Sequence, residues 1–360
     1  MRIARSCDPS SPSPNERRSV LAPLLLAVVA SLGVLVSGCS GGGDDDPNAP
    51  FRAVLIADPH IIGPQYECCT ESPGIDNTSI VQTEQRLLAV RDTVNAMDPR
   101  PDMVFILGDV MHDAYHSHDA AFYEGSETAF SVAAAILGGF EMPVHLVWGN
   151  HDYEVECGDP DRSYSRDLSH QLFRTFFDAD PYTVVDHKGW RFILANGMLG
   201  RSWDAGDPQC DTYYASFGRS QLEWIEQQLE GDRPTVMMAH HPIFLSRRAE
   251  APETSALDLW SLIERHHNIR GTFVGHVHRW IDVSLVGTPR EPEWVVAGTR
   301  YDVDNFWLVE FDPSAGTFEV LDRDKAVPLG TCARTWRYDD GDPRPVEGAP
   351  ETGDCVIGLE

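Results

Sequence analysis

The chain has 360 residues, 42 % of them apolar and 23 % charged. These proportions exclude global disorder, collagen-like repeats and an extended coiled coil, and they leave room for one large domain or two ordinary ones. Its 56 acidic against 28 basic residues give a net charge of −28, which argues against nucleic acid as a general partner because phosphate backbones would be repelled. Only Lys188 and Lys325 are lysines, a bias that GC-rich codon usage produces as readily as any function.

Residues 1–19 are polar, rich in Ser and Pro, and end in Arg17 and Arg18. The apolar run from Val20 to Val36 is at the short limit for spanning a bilayer and suits the hydrophobic core of a signal peptide. Val36-Ser37-Gly38-Cys39 then resembles the bacterial lipobox, which implies removal of residues 1–38 and lipidation of Cys39. The protein is therefore expected to be exported and held in the bacterial cell envelope by a membrane lipid anchor, facing the periplasm or the cell surface. An uncleaved N-terminal helix anchor is the other reading, and a start codon downstream of Met1 is open. Residues 39–50, rich in Gly and Asp, read as a flexible tether. Loss of residues 1–38 removes four arginines and two carboxylates, taking the net charge to −30.

Export changes the reading of the cysteines. Cys68, Cys69, Cys157, Cys210, Cys332 and Cys355 remain, an even number that favours disulfides in an oxidising compartment. Cys332 with Cys355 is the first expected pair, since it would staple a tail (326–360) of low apolar content. Cys68 and Cys69 are adjacent, and each is expected to reach Cys157 or Cys210. A zinc site is the weaker alternative because no CxxC spacing occurs.

From Phe51 onward, short apolar runs read as buried strands: 51–57, 103–107, 144–148, 191–196, 235–239, 272–275, 293–299, 306–312 and 317–321. Between many of them lie segments of helical spacing, at 82–97, 128–137, 168–177, 220–229 and 257–266. The alternation predicts an α/β fold in which residues 51–325 form one domain with two packed sheets, the later runs 191–196, 293–299, 306–312 and 317–321 making a second sheet with antiparallel members.

The informative feature is where the runs stop. Five of them end in Asp58-x-His60, Gly108-Asp109, Gly149-Asn150-His151-Asp152, His240-His241-Pro242 and Gly275-His276-x-His278. Ligand sites in α/β sheets form beyond the carboxyl ends of strands, so Asp58, His60, Asp109, Asn150, His240, His276 and His278 are expected to converge. Imidazole nitrogen mixed with carboxylate and amide oxygen suits Mn, Zn or Fe rather than calcium. Seven ligands are too many for one tetrahedral ion and about right for two.

These five blocks, in this order, resemble the calcineurin-like metallophosphoesterases. The resemblance implies a four-layer α-β-β-α sandwich of two mixed sheets flanked by helices, with two divalent or mixed-valence transition metal ions. It matches Asp58, His60 and His278 to one metal, Asn150, His240 and His276 to the other, and Asp109 to the bridging carboxylate. His151 matches the histidine that contacts the substrate phosphate and assists the leaving group, with Asp152 orienting it. The implied activity is hydrolysis of a small phosphate ester, monoester or diester, by in-line attack of a metal-bridging hydroxide. Two ions about 3.5–4 Å apart lower the pKa of water from 15.7 to around 7 and hold nucleophile and phosphoryl oxygen in line.

Where purple acid phosphatases hold a tyrosine bound to ferric iron, this chain has His112, which speaks against a purple centre. His112 is an additional ligand, a partner of a ligand, a substrate contact or a structural histidine. His116, His118, His145, His241, His266 and His267 read as structural, and Arg247, Arg248, Arg279 and Arg300 as surface charges able to reach substrate phosphate. A function of another class stays open, namely a non-catalytic metal-binding surface lipoprotein that keeps the phosphoesterase fold. Oligomeric state is not legible.

Overall fold

The computed structural model describes residues 46–67, 79–246, 258–278, 281–282, 293–321, 334–339, 342–345 and 354–356. The signal segment 1–38, Cys39, most of the tether, Cys68, Cys69, Cys332, Arg247, Arg248 and Arg279 lie outside them, and so does the expected Cys332–Cys355 pair. No helix among the described residues is long and apolar enough to cross a membrane.

The first sheet holds β1 (Phe51–Ile56), β2 (Met103–Leu107), β3 (Val144–Val147), β10 (Phe306–Asp312) and β11 (Thr317–Val320), in the order β11-β10-β1-β2-β3. Strands β1, β2 and β3 are parallel, and β10 and β11 are antiparallel to their neighbours. The second sheet holds β4 (Thr183–His187), β5 (Trp190–Leu194), β6 (Thr235–Met238), β7 (Ile269–Val274), β8 (Ile281–Asp282) and β9 (Glu293–Val295), in the order β4-β5-β6-β7-β9-β8. Its centre is parallel and its two edge strands are antiparallel. Both sheets are thus mixed, as the family resemblance implies, but the runs at 306–312 and 317–321, expected in the second sheet, pair antiparallel onto the edge of the first beside β1. Among residues 334–356, β12 (Arg334–Asp339), β13 (Asp342–Pro345) and β14 (Asp354–Val356) form a third, three-stranded sheet that the reading of the tail did not contain.

The central strand runs are apolar throughout because both faces of the two sheets are covered there. Ala53, Leu55, Met103, Phe105 and Leu107 pack inward against Phe192, Leu194, Val236, Met238 and Phe273 of the second sheet. The alternate residues Val54, Ile56, Val104 and Ile106 point the other way. There they meet Leu87, Val90 and Val94 of α1 (Thr83–Asn95) and Phe130, Ala133 and Ile136 of α3 (Ala129–Leu137). On the outer face of the second sheet, Ile193, Met237 and Val295 pack against Leu222 and Ile225 of α5 (Arg219–Gln228). Leu259, Leu262 and Ile263 of α6 (Leu259–Arg265) join the same cluster. The period-2 division of each strand gives the helix–sheet–sheet–helix layering. Two further helices, α2 (Ala120–Gly125) and α4 (Arg166–Phe177), precede and follow the β3 connection. The α4 helix is capped by Ser165, whose hydroxyl accepts from Leu168 N.

One disulfide expectation is corrected. Cys157 bonds to Cys210, with Cα atoms 5.4 Å apart, and neither reaches Cys68 or Cys69. The connections after β3 and β5 lie against each other, with Gly158 N donating to Ala205 O at 3.0 Å, which brings their cysteines together.

Candidate metal centre

Each candidate ligand sits just past the end of a strand. Asp58 follows β1, Asp109 follows β2, Asn150 follows β3, His240 follows β6 and His276 follows β7. The backbone joins the two sheets at these ends, where Ala57 bridges Gly298 and Thr299 N donates to Ala57 O at 2.9 Å. Asp58 Oδ1 accepts from His276 N at 3.1 Å. Five of the eight non-glycine residues with positive φ among those described are Asp58, His60, Asp109, His276 and His278. Left-handed backbone costs an L-residue about 1–2 kcal/mol, and such strain collects where side chains must be aimed. Gly108, at φ 92°, and Gly149 allow the closest approaches. A Cβ on Gly108 would collide with the His240 ring, and one on Gly149 with the backbone nitrogen and Oδ1 of Asp109.

The side chains form two groups that share Asp109. In the first, Asp58, His60, Asp109 and His278 place one donor atom each within 4.8 Å of one another. His60 Nε2 is 3.0 Å from His278 Nε2 and 3.5 Å from Asp109 Oδ2, and His278 Nε2 is 3.4 Å from Asp58 Oδ1. In the second, Asp109, His240 and His276 meet the same criterion, and Asn150 Oδ1 lies 3.0 Å from His240 Nε2 and 2.9 Å from His276 Nδ1. Asp58, His60, Asp109 and His240 form a buried floor; Asn150, His276 and His278 are partly exposed at the mouth.

The donor chemistry fits a cation. His240 Nδ1 is 2.8 Å from the carbonyl oxygen of Leu107, which can only accept, so Nδ1 carries hydrogen and Nε2 carries the lone pair of the neutral ring. That lone pair faces Asp109 Oδ2 at 3.2 Å and Asn150 Oδ1 at 3.0 Å. Only a positive charge reconciles these atoms. Without a metal it is a proton: burial would lower His240, but Asp109, by charge and hydrogen bond, and then Asp58 outweigh it and raise it to about 9. Desolvation would likewise raise Asp109, yet His240 and His151 hold it well below the usual carboxylate range. Burial lowers His60 well below its ordinary value, and burial followed by the His240 charge takes His276 to about 3. Their lone pairs are therefore free at neutral pH, as metal ligation requires.

His151 lies beside the first group, its ring centroid 4.9 Å from that of His60 and 4.7 Å from that of His112. Its backbone nitrogen donates to Asp109 Oδ1 at 2.8 Å, and burial, partly offset by Asp109, lowers its pKa. Asp152 corrects an expectation. Instead of addressing the His151 ring, its carboxylate accepts from Gly149 N at 2.7 Å, Val110 N at 3.0 Å and Met111 N at 3.3 Å. It clamps the loop carrying His151 to the loop carrying Asp109. Burial and then the Asp109 charge push it up to about 8, against the Gly149 and Met111 amides and the His240 charge.

His118 stacks on Tyr164 and His145 packs beside Phe105, both as structural histidines. His241 is buried with its ring 4.3 Å from His276. Arg300 is buried, and its charge helps depress His60, His112 and His151, closer to the centre than a surface charge. The Leu107 carbonyl, which fixes the His240 tautomer, carried no sequence signal, since every residue has one.

The family model described as calcineurin-like phosphoesterase matches residues 51–280. The chain is 26 % identical over 196 residues to a glycerophosphodiester phosphodiesterase from Enterobacter lignolyticus, covering 51 % of this chain and 59 % of that protein. It is 24 % identical over 213 residues to a probable cyclic nucleotide phosphodiesterase from Rhodopseudomonas palustris, covering 57 % and 67 %. Among solved structures, a dimetal phosphatase from Danio rerio is similar at 18 % identity and a TM-score of 0.45, over 72 % of this chain and 92 % of that one.

Proposed function

Because this chain belongs to the calcineurin-like phosphoesterase family, we propose that it is a two-metal hydrolase of small phosphate esters, with a phosphodiester as the first substrate class. The observation that carries the reading is the pair of donor groups sharing one carboxylate, Asp109. Asp58, His60, Asp109 and His278 would hold one ion; Asp109, Asn150, His240 and His276 would hold the other. Mn, Zn and Fe all suit this donor set. When bound, the ions supply Lewis acidity and a nucleophile derived from water at neutral pH.

The remaining roles belong to the protein. The Leu107 carbonyl keeps the His240 proton on Nδ1 and its lone pair turned to the site. Asp152 holds the His151 loop against the Asp109 loop. His151, neutral while no ester is bound, would take a proton from solvent water as an anionic ester binds and pass it to the leaving oxygen as the bond from that oxygen to phosphorus breaks. Similarity to two proteins named as phosphodiesterases supports the diester class. Arg300 favours a second reading, a monoester, because a dianion gains more from an added cation.

The test is hydrolysis of bis-nitrophenyl phosphate against nitrophenyl phosphate by the purified protein loaded with Mn, Zn or Fe. Faster diester turnover is expected, and faster monoester turnover would favour the second reading. Bound metals with hydrolysis of neither ester would support the non-catalytic alternative. Residence in the cell envelope through a lipid on Cys39 is part of the same proposal, and mass spectrometry of the membrane fraction checks it.

A further inference from the structure

His112 has no part in the hydrolysis proposed above, and the backbone determines where it stands. Beyond the ends of β1 and β2 the chain keeps pairing in parallel. His60 N donates to Asp109 O, Ile61 N to Val110 O and His112 N to Ile61 O, each at 2.9 Å, and Ile61 bridges Met111. This extension sets His60 and His112 side by side, with their Nδ1 atoms 3.2 Å apart and their rings at 63°.

A neutral imidazole has one lone pair and one N–H. His60 Nε2 faces Asp109 Oδ2 at 3.5 Å and His278 Nε2 at 3.0 Å, so the lone pair is needed there if His60 is to bind a cation. The proton then lies on Nδ1, in a fully buried ring, and needs an acceptor. His112 Nδ1 is at hydrogen-bond distance. Metal-binding histidines are generally held in this way, by a partner on the second ring nitrogen.

We propose that His112 is a positioning residue for His60. Its Nδ1 lone pair accepts the His60 Nδ1–H, fixing the tautomer and ring rotation that turn Nε2 toward Asp58, Asp109 and His278. The inference rests on the metal-centre reading. His60, His112 and His151 also place nitrogens within 4.8 Å of one another, which suggests His112 as a direct ligand. That arrangement would turn the His60 lone pair away from both carboxylates, into a site made of the His60, His112 and His151 imidazoles with no anion among them. A doubly charged cation gains more on the Nε2 side.

The test uses the whole chain, with Zn²⁺ or Mn²⁺ alone as the probe in competition with a chromophoric chelator. H112F keeps a flat ring against His151 but has no acceptor; H112N carries an amide oxygen close to where Nδ1 stood. H112F is expected to weaken one of the two ions about 10–100-fold, and H112N to restore it to within a few-fold. Equal affinity in H112F and wild type, or H112N as weak as H112F, overturns the inference. Thermal unfolding of the metal-free variants separates misfolding from lost ligation. Independently of any variant, nitrogen–proton correlation spectra of the zinc-loaded wild type should show a proton on His60 Nδ1, and a bare Nδ1 overturns the proposal. If wild type binds no ion, the metal-centre reading fails as a whole; if it binds two and H112F matches it, only the role of His112 fails.

Discussion

At the scale of single residues, the centre depends on a few exact contacts. His151→Ala removes the proton donor without touching either donor group, so turnover should fall about 10²–10⁴-fold with both ions retained. The loss should be greatest for esters with alkyl leaving groups, which need the proton most, and smallest for nitrophenyl esters; an even loss across both would point to another role. At pH 9, where the Asp152 carboxyl is ionised, Asp152→Asn replaces an acceptor of three backbone N–H groups with a side chain that also donates. It should lower stability by about 1–3 kcal/mol, read as a shift in the urea midpoint. The side chains that meet at the centre were legible in the sequence because metal chemistry demands particular side chains at strand ends. Asp152 was misread because its motif neighbour is His151, while its partners are backbone amides that no sequence displays. His112 was noticed, but its contact with His60 depends on pairing that continues past the strand ends.

At the scale of elements, the Cys157–Cys210 bond closes a separation of 53 residues between the connections after β3 and β5. Loop-closure entropy puts its worth at up to about 4 kcal/mol. Substituting both cysteines with serine should lower the melting temperature without altering metal stoichiometry, and lost metal would mean the bond also shapes the site. The β9 strand carries a pH effect. Glu293 is buried, and although Ile243 N donates to it at 2.6 Å, burial raises its pKa from 4.5 to about 7. The folded state then holds more protons than the unfolded one between these values, so stability falls as pH rises from about 4.5 to 7. Glu293→Gln should therefore gain stability relative to wild type at pH 8 compared with pH 4, by up to about 3 kcal/mol. A constant difference at the two pH values would contradict this. The long apolar strands were readable from their runs. The edge strand β4, with its partly exposed Thr183–His187, and the six-residue α2 gave patterns too short to separate from loop.

At the scale of the whole molecule, two sheets covered on both faces leave one end where their strands stop together, and the chemistry gathers there. That architecture followed from the order of apolar runs and their polar stops. The sheet of β12, β13 and β14 did not, because its segments are rich in charge and proline and lack the apolar alternation by which strands are recognised. A net charge of −28 surrounds a centre built to hold cations, so the account expects small esters to be preferred over long polyanions. Hydrolysis of a short diester should greatly exceed that of a polynucleotide at low salt, with the gap narrowing as salt screens the surface. Sharing of Asp109 between two ions is the central claim. Ion stoichiometry and diester hydrolysis, measured together on wild type and Asp109→Asn, test it most directly. The account predicts two ions per chain with hydrolysis appearing as the second binds, and loss of both in the variant. Two ions retained with undiminished turnover in Asp109→Asn would contradict it.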